Sequence, residues 1–491
     1  MIVNQFGEPY KFAKGAQRNT TARPWEPVQM RDIGTLIPSW DRKTLVSASR
    51  RLYTNEGVLI GAIQQKAMYS VGRSWQAQSQ SKDTEWQKLA EEKINDEWYG
   101  VCDVKGGMHD FKTSLYQISC AIDRDGEAFI LLTKTDDDYP RIQHIPSHRI
   151  STPQDFRDGK LTTGAYRGLT LTDGVIYSKG SPVAFCYVDE DQKLIQYLSA
   201  RDCIHLYDPS FQEQGRGLPA ATHALNDLRD ALQSHDWERH AQLMLSSIGL
   251  IEYNDTGLPD PDDPMNVLNG SLSSCGEKGI IQESYQGGQI RYFAAKSGGK
   301  LETIKNDRPG DMWESFQNRI YRKTLAGMNW PYSMIWHATG QGTAERADLG
   351  RAQRAVEDRQ DLLEYAAKRM VGYAVAKFMK RGDLPANDQW YRWKFSYPKK
   401  ITIDDGRVSK ELIEMWKAGF LNPNDVLGYL GKTPEDHIDE RINYLVMQKV
   451  KVANANSALP DGIYIEDREM VMLTPNEMSQ QQSTPNEEST A

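Results

Sequence analysis

The residues that could do chemistry are few and scattered. His144 and His148 stand in an H-x-x-x-H spacing, which on a helix would aim two imidazoles at one metal ion. Pro146 lies between them and argues against that helix. Cys203 and His205 lie two apart in a stretch of strand character, so both side chains leave one face. That pair admits two readings: a nucleophile with its base, or a buried thiol beside a satisfied histidine. No third group to orient the imidazole is evident, which favours the second. Asp136, Asp137 and Asp138 could gather a cation, as could Asp260, Asp262 and Asp263 in the Pro259–Pro264 loop. Neither has the spaced ligands and fixed glycine of a calcium loop, and solvated turns account for both. The phosphate-cradling G-x-x-x-x-G-K-[S/T] loop, H-E-x-x-H and G-x-S-x-G are all absent. We therefore expect no catalytic residues, no metal and no cofactor.

The whole-chain balance is that of a soluble globular protein with a polar lean. The 491 residues suffice for several domains or one large multi-part fold. Apolar residues make up 39% and charged ones 26%, with a formal net charge of −8. Tight DNA binding needs many Lys and Arg contacts to phosphate, so a gripping or sequence-specific DNA binder is not expected. Cys102, Cys120, Cys186, Cys203 and Cys275 form an odd, dispersed set without C-x-x-C, which suits buried free thiols in a reducing compartment. No apolar run of membrane-spanning length and no signal-peptide pattern occurs, so the expected setting is cytosolic, without membrane contact.

The stretch Asp311–Lys380 organises the elements. Trp313, Phe316, Ile320 and Thr324 predict an amphipathic helix at its start. A glycine- and aromatic-rich loop follows from Gly327 to Gly342. A helix then runs from about Ala344 to Met379, on the order of 50 Å long. Its apolar stripe is Leu349, Ala352, Val356, Leu363, Ala367, Met370, Ala374 and Phe378, with Gln360 as the polar step.

Ahead of that stretch, residues 1 to about 30 read as a loose arm, or as one that docks on a neighbouring subunit. A helical pattern begins at Thr44 and continues through Val58 and Ile63 to Tyr69, and Gly72 caps it. A second runs from Asp83 to Trp98, with Trp86, Leu89, Ile94 and Trp98 on its apolar side. A third starts near Asp110. Strands are expected at Glu127–Thr133, Arg141–Ile145, Pro182–Val188 and Cys203–Tyr207. Pro219 is placed to open a helix reaching Ser247, with Leu225, Leu228 and Leu232 buried and a polar centre that faces water or a channel. Ile248–Tyr253, Gly279–Gln282 and Gln289–Phe293 look like strands of a separate unit, and Tyr391–Phe395 is a further one. Asn422–Pro423 and Thr433–Pro434 mark two late helix starts. The repeated Thr-Pro-Asn-Glu at Thr474 and Thr484 belongs to a Gln/Ser-rich tail expected to be disordered. The fold class is α+β.

Several of these stretches together resemble the portal proteins of tailed bacteriophages, specifically the lambda-type family. The residues that carry the resemblance are Arg51-Leu52, Asn55, Gly61-Ala62-Ile63, Val71-Gly72, Gly126-Glu127, Ala200–Tyr207, Gln214-Gly-Arg-Gly217 and Leu325–Tyr332. Their order and spacing, rather than any single motif, make the match, and Gln214–Gly217 is the most specific of them. Where the family has an Asn-Tyr-Ser-Ser-like run before the long helix, this chain reads His337–Thr343.

The resemblance implies a portal fold of wing, stem, clip and crown with long stem helices, assembling as a cyclic ring of twelve subunits. Its expected role is the channel at one capsid vertex through which DNA is packaged and ejected. Its expected partners are double-stranded DNA read without sequence specificity, terminase, the major capsid protein and head-tail adaptors, in the virion after assembly in the host cytoplasm. By order along the chain, the divisions would be an arm at 1–43, wing at 44–218, first stem helix at 219–248 and clip at 249–310. The second stem helix and channel loop would take 311–343, the long helix and wing return 344–400, the crown 401–453 and the tail 454–491. Within the loop, Trp330, Tyr332, Met334, Trp336 and His337 are the channel-facing candidates, with anchoring of the loop as the competing role for the two tryptophans. Rival functions are a capsid-associated head-completion adaptor and a head-maturation enzyme.

Overall fold

The computed structural model describes residues 32–254, 281–302 and 310–458, apart from short gaps at 73–74, 286–287, 295–299, 337–341, 399–400, 402–404 and 421–433. Residues 1–31 of the expected arm, the tail beyond 458, the Pro259–Pro264 loop, His337 and the Asn422–Pro423 helix start lie outside the described residues, whereas 33–36 and 39–43 of the arm's span and 454–458 of the tail's are helical. The chain divides into two compact units, Met1–Thr402 and Ile403–Ala491.

The first unit opens with a short turn of helix, α1 (Ile33–Leu36), then α2 (Ser39–Asn55) and α3 (Gly57–Val71). The periodicity predicts one continuous helix across these last two, and the structure corrects it. Glu56 is extended (φ −113°, ψ 108°), and its side chain accepts from the Val58 amide to cap α3. Asn55 and Gly57, both poor helix interiors, flank the break. Gly72, at φ +57°, ends α3 as its C-cap. After β1 (Ala77–Ser79) comes α4 (Thr84–Glu92), capped by Asp83, whose carboxylate accepts from the Glu85 and Trp86 amides. Its buried line runs Trp86, Ala90, Ile94, Trp98 in steps of four. A π-helical turn over Lys93–Trp98 keeps Trp98 on that line, while Leu89, expected on it, is 50% exposed. Asp110 caps α5 (Phe111–Asp125) through the Thr113 amide.

Two antiparallel sheets follow. β2 (Glu127–Lys134) sits between β3 (Pro140–Ile145) and β9 (Cys203–Tyr207). A five-stranded meander runs β4 (Gly159–Lys160), β5 (Thr170–Thr172), β6 (Val175–Ser178), β7 (Ser181–Val188) and β8 (Leu194–Ser199). The helix expected to open at Pro219 starts later. The Thr222 amide and hydroxyl both donate to the Pro219 carbonyl, closing a turn over Pro219–Thr222, and the Ala224 amide donates to the Ala221 carbonyl in the 3₁₀ turn Thr222–Ala224 that follows. Helix α6 therefore begins at Leu225 and ends at Ser247. A four-stranded sheet comes next, from β10 (Ile248–Asn254), β11 (Ile281–Tyr285), β12 (Gly288–Ala294) and β13 (Lys300–Glu302). Within it β10 and β12 are parallel and the remaining pairs antiparallel.

Helix α7 (Asp311–Gly327) runs back along α6, with Gln317 against the Ala231 carbonyl and the Trp313 indole donating to Ser234. Phe316, expected on the buried side, is 55% exposed, and Gln317 takes the inner position because its amide serves the α6 backbone. Then α8 (Gly342–Arg381) continues for 40 residues, about 60 Å. That length is explained by packing, because the helix threads two hydrophobic cores. Its first half gives Ala352, Ala355 and Val356 to the core shared by α2, α3, α6 and α7. Its second half gives Leu363, Ala367, Met370, Ala374 and Phe378 to the core around Trp86, Trp98, Phe111 and Ile142. Arg359 and Gln360 sit at the junction. Arg359 donates to the Ser119 carbonyl (3.1 Å) and to Asp123 (2.5 Å), and Gln360 donates to the Ser70 carbonyl (3.2 Å). The polar step in the stripe is thus a tether between α8 and the ends of α3 and α5. The unit closes where β14 (Trp393–Phe395) pairs with β1.

The second unit contains α9 (Asp405–Lys417) and α10 (Pro434–Ala458), and Pro434 is the first residue of its helix, as Thr433–Pro434 predicts. Among the described residues no helix is long and apolar enough to cross a membrane.

Candidate functional site

The loop between α7 and α8 is held from both sides. Asn329 adopts φ +54°, a left-handed conformation that asparagine tolerates, and the Trp330 amide returns to the Leu325 carbonyl (2.9 Å), ending α7. Pro331 then leads into a 3₁₀ turn over Tyr332–Met334. The Tyr332 hydroxyl donates to Asn318 (2.9 Å), and the Arg322 guanidinium lies 5.1 Å from its ring centroid. Ser333 donates to Asp348 at the start of α8 (2.8 Å). Ile335 packs on Gly61 of α3, where even an added methyl would stand 3.3 Å from its Cδ1.

The candidate residues therefore occupy different environments. Trp330 is 2% exposed, stacked on Tyr69 at 6.3 Å within the core, and its indole N–H has no hydrogen-bond partner among the described residues. Tyr332 and Met334 are half-buried against the same core. Trp336 is 52% exposed and stacks on Tyr321 at 6.4 Å. His337 lies outside the described residues. Sequence reasoning misses Asn318, Tyr321 and Arg322. Their i, i+3, i+4 spacing on α7 is the signal that could find them.

A second constellation gathers the residues that carry the family resemblance. Glu127, the first residue of β2, is 1% exposed and receives two arginines. Arg216 donates through Nε to Oε2 (2.9 Å) and through Nη2 to Oε1 (2.5 Å), a two-point fork, while Arg42 donates to Oε1 (3.2 Å). The Gly217 amide adds a bond to Oε2 (3.2 Å), and His205 Nε2 lies 2.9 Å from the same oxygen. Burial holds the His205 pKa down, so the neutral ring donates its Nε2 proton to the carboxylate. Arg216 also binds the carbonyls of Ile150, Ser147 and Asp173. Asp173 in turn pairs with Arg42 and accepts from Ser39 (2.7 Å). Two cations face two anions, so the buried charge is balanced. Burial alone would raise the Glu127 carboxyl, but Arg216 and Arg42 outweigh it and hold it well below its usual range.

The glycines of Gln214–Gly217 follow from this packing. A side chain at Gly215 would strike the Tyr177 hydroxyl, one at Gly217 would strike the Gly126 carbonyl, and one at Gly126 would strike the Leu218 backbone. Gly126 also sits at φ +90°, which disfavours any other residue. The constellation ties α2, both antiparallel sheets and the approach to α6 into one piece.

The pairs weighed for chemistry are otherwise occupied. Cys203 is buried, and burial pushes its thiol up to about 12, while its neighbour His205 serves Glu127. Cys102, Cys120 and Cys186 are likewise buried free thiols, pushed up to about 12, 11 and 12. His144 lies on β3, 3.6 Å from Asp103, and His148 on the following turn contacts Arg50. Among the described residues no group of three or more His, Cys, Asp or Glu side chains could hold a metal ion.

No curated protein matches the chain. Among solved structures, the neck of an empty gene transfer agent particle superposes with a TM-score of 0.50 at 12% identity, covering 79% of this chain and 94% of that one. The neck of the native particle gives 0.47 at 12% identity, covering 80% of this chain and 94% of the other. An HK97-family phage portal protein from Corynebacterium diphtheriae gives 0.29 at 13%, covering 64% of this chain and 88% of that one. At 12% identity, the superposition at 0.50 speaks to fold alone. The sequence match is more direct: the family model described as phage portal protein, lambda family, spans residues 7–360, well over half of the chain. The chain belongs to the lambda family of phage portal proteins.

Proposed function

We propose that this portal protein assembles head-to-tail into a closed ring, twelve subunits by family expectation, at one vertex of the capsid. The ring conducts double-stranded DNA during packaging and ejection. It docks terminase on one side and head-tail adaptor proteins after packaging, and it sits in the major capsid protein shell. The protein is structural, not enzymatic, as its family is. Assembly takes place in the host cytoplasm before the ring becomes part of the virion.

In this reading residues 44–218 form the wing, α6 and α7 the stem helices, and 249–310 the clip. The loop of 327–343 faces the channel, α8 is the strut behind it within 344–400, and 401–453 form the crown. The observation that carries the reading is the way α7, the tethered turn and α8 form one braced unit. The turn is pinned by Asn318, Asp348 and Gly61, and α8 anchors in two cores. A loop so braced can meet a moving polymer without being carried along.

The chemistry of the loop also suits passage rather than grip. Trp336, Met334 and Tyr332 offer weakly polar contacts, and the net charge of −8 gives no phosphate clamp. Trp330 takes the anchoring role, and Trp336 with Met334 takes the channel-facing one. The test is a packaging assay with Trp336→Ala and Met334→Ala. Rings should form at the native yield while DNA packaging falls several-fold. Native packaging by both variants would remove the loop from the mechanism.

A further inference from the structure

A groove runs along one face of α5, between the end of α2 and the end of β3. Its floor is Tyr116, Gln117, Cys120, Ala121 and Arg124, in rows four residues apart along the helix. Arg50, Tyr53 and Thr54 of α2 form one wall, and Lys105 with the stretch from His144 to His148 forms the other. It encloses about 630 Å³, a volume ordinary for a small-molecule site.

The charges of the groove do not balance. Asp125 takes a two-point fork from Arg50 (2.7 and 2.9 Å) and a second from Arg124 (3.0 and 2.9 Å). One carboxylate thus serves two guanidiniums. Glu127 also reaches the groove, but Arg216 and Arg42 already neutralise it. Lys105 adds a third cation near His144, and Asp103, 3.6 Å from that histidine, offsets only one of them. A positive charge is left over, whereas the constellation of Glu127, Asp173, Arg42 and Arg216 is neutral.

Donors are left over as well. A guanidinium has about five N–H groups to give. Arg50 uses two on Asp125 and one on His148 Nδ1 (2.8 Å), and Arg124 uses two on Asp125. Arginine can only donate, so His148 accepts at Nδ1. Burial and the adjacent Arg50 hold its ring neutral, which puts its proton on Nε2. Ser147 is 2% exposed, and its hydroxyl has no hydrogen-bond partner among the described residues. Buried polar groups are normally partnered, so this one lacks a ligand or a water.

The leftover donors select the kind of anion. A planar carboxylate is best met by a guanidinium fork, and Asp125 already occupies both forks. Single donors from several side chains suit the spread oxygens of a tetrahedral phosphate. Tyr53 and Tyr116 line the same groove and give an organic group a partly apolar surface to rest on.

We infer that this groove binds a phosphate ester of nucleotide size, with Arg50, Arg124 and Lys105 supplying charge and His148 and Ser147 supplying neutral donors. The site is independent of the ring reading, since all of its residues belong to one chain. It is also local, so it does not turn an acidic chain into a clamp along a duplex. A free nucleotide and a nucleic-acid backbone share this chemistry, and the test separates them.

The test is isothermal titration calorimetry of the full chain at low salt with dAMP, inorganic phosphate and a short DNA duplex. One site per chain is expected for dAMP, with inorganic phosphate binding more weakly. Lys105→Gln and Arg124→Gln should each weaken dAMP by about tenfold, the loss of one charged hydrogen bond. Lys105 is exposed, so its variant should keep the native Tm and carries the test even if Arg124→Gln unfolds. Arg149→Gln, which removes a cation outside the groove that pairs with Glu190, should bind as the native chain does. Duplex binding weakened by the same two variants, without dAMP binding, would place the phosphate on nucleic acid and uphold the site. No binding of any phosphate would overturn the inference, as would dAMP binding that neither variant weakens. Citrate or glutamate binding as tightly as dAMP would overturn it in favour of a carboxylate ligand.

Discussion

Replacing Arg216 by alanine should be among the most damaging single changes among the described residues of the first unit. The guanidinium is 7% exposed and is shared between the Glu127 carboxylate and the carbonyls of Ile150, Ser147 and Asp173. Its loss leaves Glu127 and Asp173 facing Arg42 alone, so one buried negative charge is uncompensated. Breaking a buried pair in this way costs about 3–5 kcal/mol. For a unit of this size each kcal/mol lowers Tm by about 2 °C, so a fall of roughly 6–10 °C is expected. The assay is urea and thermal unfolding of unassembled chain, followed by a double-mutant cycle with Glu127→Gln. The double variant should be less destabilised than the sum of the two single ones, because the orphaned charge has gone. Arg216→Lys should fall between, since a point charge keeps the attraction but loses the fork. Stability within about 1 kcal/mol of native for Arg216→Ala would show that the cluster is not held by charge balance, because an uncompensated buried charge cannot cost so little.

Other outcomes follow from the same structure. Glu127, Asp173, Asp123 and Asp125 are each held below their usual range, with burial opposed and outweighed by neighbouring cations. Depressed carboxylates contribute stability that is full above their unfolded pKa, about 4, and is lost as pH falls through the folded values. Acid unfolding followed by circular dichroism should therefore steepen below about pH 4. His144, which burial pushes down to about 4, works in the same direction between its unfolded value of 6.5 and 4, so His144→Gln should flatten that part of the profile. Trp330→Ala should cost about 3–5 kcal/mol in urea unfolding, as expected for a buried aromatic, whereas Trp336→Ala should leave stability near native. Gly217→Ala should fail to accumulate as folded protein, since the added methyl meets the Gly126 carbonyl. Gly350→Ala, in open space on the exposed side of α8, should instead raise stability by about 0.5–1 kcal/mol in the same unfolding assay.

The parts of the fold legible in the sequence are those with long, unbroken periodicity. The stripe from Ala352 to Phe378 marks α8 because every step but Gln360 is apolar, and Asp83 and Asp110 mark two helix starts through their capping oxygens. The break at Glu56 is hidden because α2 and α3 share an apolar phase across it. The strands Thr170–Thr172 and Val175–Ser178 are too short for alternation to register. Phe316 is misplaced by its spacing because Gln317 is drawn inward by a backbone carbonyl on another helix, which no local pattern reveals. The charged constellation is half legible. Glu127, His205 and Arg216 stand in the stretches that carry the resemblance, but Arg42 and Asp173 lie 85 and 46 positions from Glu127 and carry no local signal. Those family-marking residues serve cohesion, and the loop that would meet DNA carries the resemblance only in its first part, to Tyr332, and departs from it at His337–Thr343.

Whether the chain closes into a DNA-conducting ring is settled by cryo-electron microscopy of the purified full-length protein under a range of assembly conditions. Closed rings are predicted, twelvefold by family expectation, with a central hole wide enough for duplex DNA and α8 standing behind the loop at its narrowest point. Only monomers, or particles without a hole, under every condition would contradict that prediction.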